Sequence, residues 1–222
     1  MPTTAAVVTV GDELLAGDIE NSNATWLASR LTDRGVRVRQ IRVVPDEVDE
    51  IADAVAELGQ SCTFVVTTGG LGSTPDDVTV DAVARALERS LEPHPEAREQ
   101  VQAAVEEIRK EYPEFDHDVE AGSQYPAGAQ IVPNEEGIVP GCVCGNVYVL
   151  PGIPDEMEAV FGVVEADFSG ATRSRTAYSR TPESHLNDLL NDVRERVAPT
   201  VPVGPSEEHA GFPGPCPSRR RR

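Results

Sequence analysis

The chain has 222 residues and carries 38 Asp and Glu against 19 Lys and Arg, for a formal charge of −19. That length allows one well-cored α/β domain and a smaller piece, and a hydrophobic fraction of 39% is enough to fold. So negative a balance argues against a nucleic-acid partner, which requires a basic footprint to neutralise phosphates.

Lys110 is the only lysine; the other basic residues are arginines. An acid-rich, lysine-poor surface suits concentrated salt, where at ~1 M the screening length falls to about 3 Å. A halophilic source is therefore expected. No apolar run approaches the length of a membrane span, and the N-terminus lacks the basic start of a signal peptide. A cytoplasmic protein with no membrane partner is expected. Cys62, Cys142, Cys144 and Cys216 form neither a CxxC pair nor a His-paired set, so neither a disulfide framework nor a zinc site is expected. Cys142 and Cys144 alternate in an apolar stretch and read as strand residues rather than a redox pair.

Residues 5–10 are an apolar run bounded by Gly11 and read as a buried strand. Ala24, Leu27, Ala28 and Leu31 then follow helical spacing up to Gly35. Residues 36–44 read as a second strand, nearer an edge because of its arginines. Asp46 is expected to cap the next helix, which carries Val48, Ile51, Val55 and Leu58 on one face. Residues 63–68 form a third strand running into glycines. Val80, Val83, Ala84 and Leu87 mark a helix, and Ala97, Val101, Ala104, Val105, Ile108 and Tyr112 mark another. Residues 113–130 read as a loop or excursion. Residues 147–150 are a strand ending at Pro151, followed by a helix with Met157, Val160, Phe161 and Val164. This alternation predicts a three-layer α/β/α domain with a mainly parallel sheet, followed by an incomplete small α+β region.

The non-periodic residues fall where strands deliver the chain into loops: 11–18 (GDELLAGD), 69–77 (GGLGSTPDD) and 151–157 (PGIPDEM). In a parallel sheet such loops share the carboxyl edge, where ligands bind. Gly69, Gly70 and Gly72 let backbone N–H groups approach an anion, with the positive end of the following helix behind them. Ser73, Thr74 and Thr79 could donate to phosphate or support the loop. Asp76 and Asp77 are either helix caps or ligands of a divalent cation, Mg²⁺ or similar, that bridges to phosphate oxygens. Asp12 joins them on the same edge as a candidate catalytic acid and the guess for general base. Asn21 to Asn23 open the first helix; one must cap it, and the others could meet ligand hydroxyls. Pro151 and Gly152 begin either a stiff turn or a flat wall for a heterocycle or sugar.

These motifs together resemble the molybdopterin-binding (MoaB/Mog-like) family, and within it the N-terminal domain of the CinA competence/damage-inducible proteins. The matching residues are Gly11 to Leu15 with Gly17, Asn21 to Asn23, Thr67 to Gly72 with Asp76, Asp77 and Thr79, Asn134 with Gly137, Pro140 and Gly141, and Leu150 to Pro154 with Glu156 and Met157. They run through residues 5–165 in the family's order. The resemblance implies binding of a small-molecule nucleotide or pterin, an active edge at these loops, and a homo-oligomer. For the CinA branch it implies metal-dependent hydrolysis of a nucleotide diphosphate such as ADP-ribose. For the molybdenum-cofactor branch it implies adenylyl transfer to molybdopterin, with the aspartate matching Asp77 important in metal-dependent chemistry. A non-catalytic binding module is the third reading. Ser73 stands where the family has proline.

The domain reading is 1–168 for the nucleotide- or phosphate-binding domain, 174–204 for a partial KH-like domain (a strand at 174–179, then a helix over 182–197), and 205–222 for a disordered tail ending in four arginines. The family's amidase part has no counterpart in these residues, so that activity is not carried over. The abrupt Pro/Gly/Arg ending fits a truncation or frameshift.

Overall fold

The computed structural model describes residues 2–72, 74, 76–171 and 185–197. The chain divides into two compact units, Met1–Ser174 and Arg175–Arg222. In the second, the described residues contain one helix, α7 (Asn187–Val197), within the predicted helical stripe. The expected strand at 174–179 and the tail at 205–222 lie outside the described residues.

The first unit is built on a six-stranded sheet. Its strands are β1 (Thr4–Val10), β2 (Arg37–Val44), β3 (Phe64–Thr68), β6 (Gln130–Val132), β7 (Gly141–Cys144) and β8 (Val147–Leu150), in the order β2-β1-β3-β8-β7-β6. The first four in that order run parallel. β7 and β6 then return antiparallel, a hairpin and meander that a purely alternating reading of strand and helix does not anticipate. The hairpin turns at Gly145, whose φ of +64° falls where glycine is favoured. β2 is the edge strand, as its arginines suggest.

Alternation along β1 explains the layers. Ala6, Val8 and Val10 face one core, together with Ile51, Val55 and Leu58 of α3 (Val48–Ser61) and Ala82 and Val83 of α4 (Thr79–Ala86). Ala5 and Val7 face the other core, with Leu27 and Leu31 of α2 (Ser22–Asp33) and Met157, Val160 and Phe161 of α6 (Pro154–Val164). A strand whose two faces are both covered must read as a continuous apolar run. Cys142 and Cys144 are buried strand residues of β7 in the first of these cores.

α5 (Pro95–Glu111) buries Ala97, Val101 and Val105, but Tyr112, expected on the same stripe, stands at its C-cap and is 66% exposed. The segment read as a loop after it holds a short 3₁₀ turn and β5 (Gln124–Pro126), which pairs antiparallel with β4 (Leu91–Pro93). Phe168 closes the second core. It stacks on Phe161 at 5.2 Å and contacts Tyr148 and Phe64 edge-on or tilted. Phe168→Ala is expected to destabilise the first unit by about 3–5 kcal/mol, read from the midpoint of chemical denaturation; a loss below about 1 kcal/mol would contradict this packing account.

Candidate functional site

Three connections leave the carboxyl ends of β1, β3 and β8, and all three begin helices without a side-chain cap. Gly11 precedes α1 (Asp12–Ala16), Val78 precedes α4, and Ile153 precedes α6. The positive dipole ends of these helices face one region, although the first N–H of α1 is taken by Asp46 and that of α4 by the Gly70 carbonyl. Asp76 and Asp77 are therefore not the N-cap of α4, whose cap position is held by Val78.

The glycine loop is held from below. Gly69 (φ +106°) donates its N–H to the Leu150 carbonyl at 3.3 Å, and its own carbonyl accepts the Thr79 hydroxyl at 2.7 Å. Gly70 (φ +62°) accepts the Thr79 N–H at 3.1 Å. Thr79 is fully buried, so its role is to fix the loop's shape rather than to meet a ligand. Thr74 donates its N–H (2.8 Å) and its hydroxyl (2.5 Å) to Asp77 Oδ2. Asp77 is thereby folded back over Gly72, where a Cβ would overlap its carboxylate. Ser73 lies outside the described residues.

The first helix ties the loops together. Asn21 caps α2, its Oδ1 accepting the Ala24 N–H at 3.2 Å, while its amide donates to Thr9 Oγ1. Asn23 donates to Thr68 Oγ1 at 3.1 Å and to the Gly152 carbonyl at 2.7 Å. Thr68 in turn donates to the Pro151 carbonyl at 2.5 Å. Gly152 packs so closely that a Cβ on it would stand 3.2 Å from Gly69 Cα.

These loops surround a cavity of about 600 Å³, a size suited to a small-molecule ligand. Of the residues singled out from sequence, Gly69, Gly70, Gly72, Asp76, Asp77, Asn21, Asn23, Pro151 and Gly152 line it. Asp12, Thr74 and Thr79 are not in the lining. Asp12 is exposed at the start of α1, where its N–H donates to Asp46 Oδ2 at 2.9 Å. That bond also corrects the reading of Asp46 as the cap of α3. Glu47 occupies that cap position and makes no side-chain cap bond. Asp46 has a tertiary partner instead, and its side chain lines the cavity.

Sequence reasoning missed five lining acids or bases: Glu13, Glu20, Asp46, His117 and Glu156. Glu13 and Glu156 lay within the quoted motifs, so a signal existed. His117 sits in a polar, aperiodic stretch that offered none. Its ring stacks on Phe115 at 6.2 Å and 12°. Burial lowers its pKa, against the opposing pull of Asp118, Asp116 and Asp77.

The donor set decides whether a divalent cation fits. Among the described residues, no three His, Cys, Asp or Glu side chains stand close enough to hold an ion alone. Mg²⁺ does not need such a cage, because it takes one or two carboxylates and completes its shell with phosphates and water. The acids do crowd one another. Burial first, then Glu13, Asp12 and Asp76, push the Asp46 carboxyl above its ordinary range, against the lowering effect of the Asp12 N–H. A cation between these acids and a phosphate would relieve that repulsion, so the residues fit the group.

The same crowding has a measurable consequence without any ligand. A carboxyl whose folded pKa is raised favours the fold below its unfolded value of 3.8 and works against it above. Asp46→Asn should therefore raise the melting temperature at pH 7 in dilute buffer. The gain should shrink as pH falls through the carboxylate range, where Asp46 is neutral in both states. A gain of the same size at pH 3 and pH 7 would show that charge is not its cause.

Comparison with known proteins follows this geometry. Residues 6–168 match the family described as a probable molybdopterin binding domain. A protein of Archaeoglobus fulgidus is 36% identical over 199 residues, covering 89% of this chain and 83% of its own length. A CinA-like protein of Synechococcus sp. (strain CC9902) is 34% identical over 212 residues, covering 90% of this chain and 50% of that relative. The crystal structure of the protein CinA, with unknown function, from Thermoplasma acidophilum aligns with a TM-score of 0.64 at 34% identity, over 75% of this chain and 98% of that one.

Proposed function

The chain belongs to the family of probable molybdopterin binding domains and has CinA-like relatives, and from that premise we propose that its cavity binds a nucleotide diphosphate such as ADP-ribose and hydrolyses it with a divalent cation. The observation that carries this reading is the glycine loop, shaped by Thr79 and flanked by Asp76 and Asp77 at the start of α4. An anion cradle beside paired carboxylates is the chemistry of a phosphate–metal site.

The N–H groups of the loop from Gly70 to Gly72 hold the diphosphate oxygens, with Gly69, bonded to Leu150, fixing the loop below them. Asp76 and Asp77 would hold the cation, Mg²⁺ or similar, which supplies charge neutralisation on the phosphates when bound. Water attacks one phosphorus, and the bond from that phosphorus to the bridging oxygen breaks. AMP and ribose 5-phosphate leave, and one proton is released. Asp46, with its carboxyl raised above the ordinary range, is better placed than Asp12 to accept that proton, because it lines the cavity. Asn21 and Asn23 and the Pro151–Gly152 turn border the organic part.

The test is incubation with ADP-ribose and Mg²⁺ in concentrated salt. Release of AMP and ribose phosphate supports hydrolysis. ATP consumption that requires molybdopterin would replace this reading with adenylyl transfer. Binding without turnover would replace it with a non-catalytic module.

A further inference from the structure

Glu156 is a carboxylate held in place for which the phosphate chemistry has no use. It lies in the first turn of α6 and lines the cavity. Its Oε2 accepts a 2.7 Å hydrogen bond from Asn134 Nδ2. Asn134 is only 3% exposed, and its amide is fully committed: the same nitrogen donates to the Val139 carbonyl, and Oδ1 accepts the Glu136 N–H. Its backbone is gripped on both sides by Gln100 of α5. A Cβ at Gly137 would overlap Glu156 Oε2. The sequence thus spends a buried Asn, a glutamine clamp and a glycine to aim one acid into the cavity, and among the described residues Asn134 is the only hydrogen-bond partner of that acid.

Position indicates what it would read. Gly152 abuts Gly69 of the anion loop. Glu156 is the third residue of α6, the helix this connection enters at Pro154, and it lines the same cavity as Gly152 and Gly69. In a nucleotide the ribose follows the phosphate directly, and the base lies beyond the sugar. A carboxylate is also the group that dinucleotide-binding folds use to accept ribose hydroxyls. We propose that Glu156 recognises the 2′,3′-diol of the ribose next to the bound diphosphate, making the site selective for ribonucleotides, with Asn134 and Gln100 as positioning residues. This rests on the reading of the cavity as a nucleotide diphosphate site.

The experiment measures binding rather than turnover, using ADP and 2′,3′-dideoxy-ADP with Mg²⁺ on the full chain. Hydrogen bonds to a charged group contribute enough that wild type should bind ADP roughly tenfold or more tightly than the dideoxy compound. Glu156→Gln should bring ADP to the dideoxy level and leave dideoxy-ADP binding unchanged. Glu156→Asp, which keeps the charge but withdraws it, should do the same in part. Equal binding of the two ligands by wild type would overturn the diol assignment and leave the diphosphate reading standing; this comparison needs no variant to fold. Equal loss of both ligands in Glu156→Gln would also overturn it, because the acid would then read something other than the diol. Failure of both nucleotides to bind would overturn the diphosphate reading and this one with it.

Discussion

Asp77→Asn should lower the turnover of ADP-ribose by roughly 10²–10³-fold or more, the scale on which single groups facing transition-state charge act. The geometry makes this a clean substitution. Asp77 Oδ2 accepts both the Thr74 N–H and its hydroxyl, and an amide oxygen can accept the same two bonds. The loop should therefore survive while the negative charge is lost. The melting temperature should stay close to wild type, and the Mg²⁺ concentration giving half-maximal rate should rise. Unimpaired turnover in this variant would remove Asp77 from the cation's ligand set. Collapse of the fold would instead mean that the Thr74 bonds require a carboxylate.

Gly69→Ala should strongly destabilise the first unit. Its φ of +106° is outside the range L residues adopt, and the new Cβ would overlap the Val10 carbonyl at the end of β1. The backbone cannot shift away, because Gly69 is bonded to Leu150 of β8 on one side and to Thr79 of α4 on the other. Strain and overlap together should cost roughly 3 kcal/mol or more, a fall of about 6–12 °C in melting temperature for a unit of this size. Gly17→Ala is the control. That glycine has a φ of +78° but no neighbour within 4 Å of a Cβ, so only the left-handed penalty of about 1–2 kcal/mol applies. Equal losses in the two variants would mean that crowding against β1 contributes nothing.

The sequence was most legible where burial imposes periodicity. The doubly covered strand β1 and the stripes of α2, α3 and α6 follow directly from apolar spacing, because a strand or helix with a wrong pattern could not fill these two cores. The loops were legible for a related reason: glycines with positive φ are tolerated only where the backbone needs them, and they cluster at 69 and 70. Legibility failed where the partner is distant in sequence. Asp46 has the local signature of a cap, but its oxygen is taken by the N–H of Asp12 thirty-four residues earlier. β8 and the strand character of Cys142 and Cys144 were read, but β6 and the antiparallel return were not, because strands of three and four residues carry too few positions to reveal a direction. His117 lines the cavity from a polar, aperiodic stretch that carries no local signal, and the bond that holds Glu156 comes from Asn134, twenty-two residues earlier.

Asn23, in α2, ties the second and third loops into one mechanical element. Its amide joins Thr68, at the mouth of the second loop, to Gly152 in the third, and it belongs to the helix that follows the first. Neither the second nor the third loop can swing outward without breaking a bond through Asn23, so their local opening should be collective, with the amides around both exchanging hydrogen at a common rate. An arriving ligand meets a rigid mould and loses little in ordering it. The same coupling makes the loops poor ground for independent change. A substitution that reshapes either of these two loops to admit a new substrate will be felt in the other, so new specificity is easier to gain from residues on the cavity wall outside this linkage.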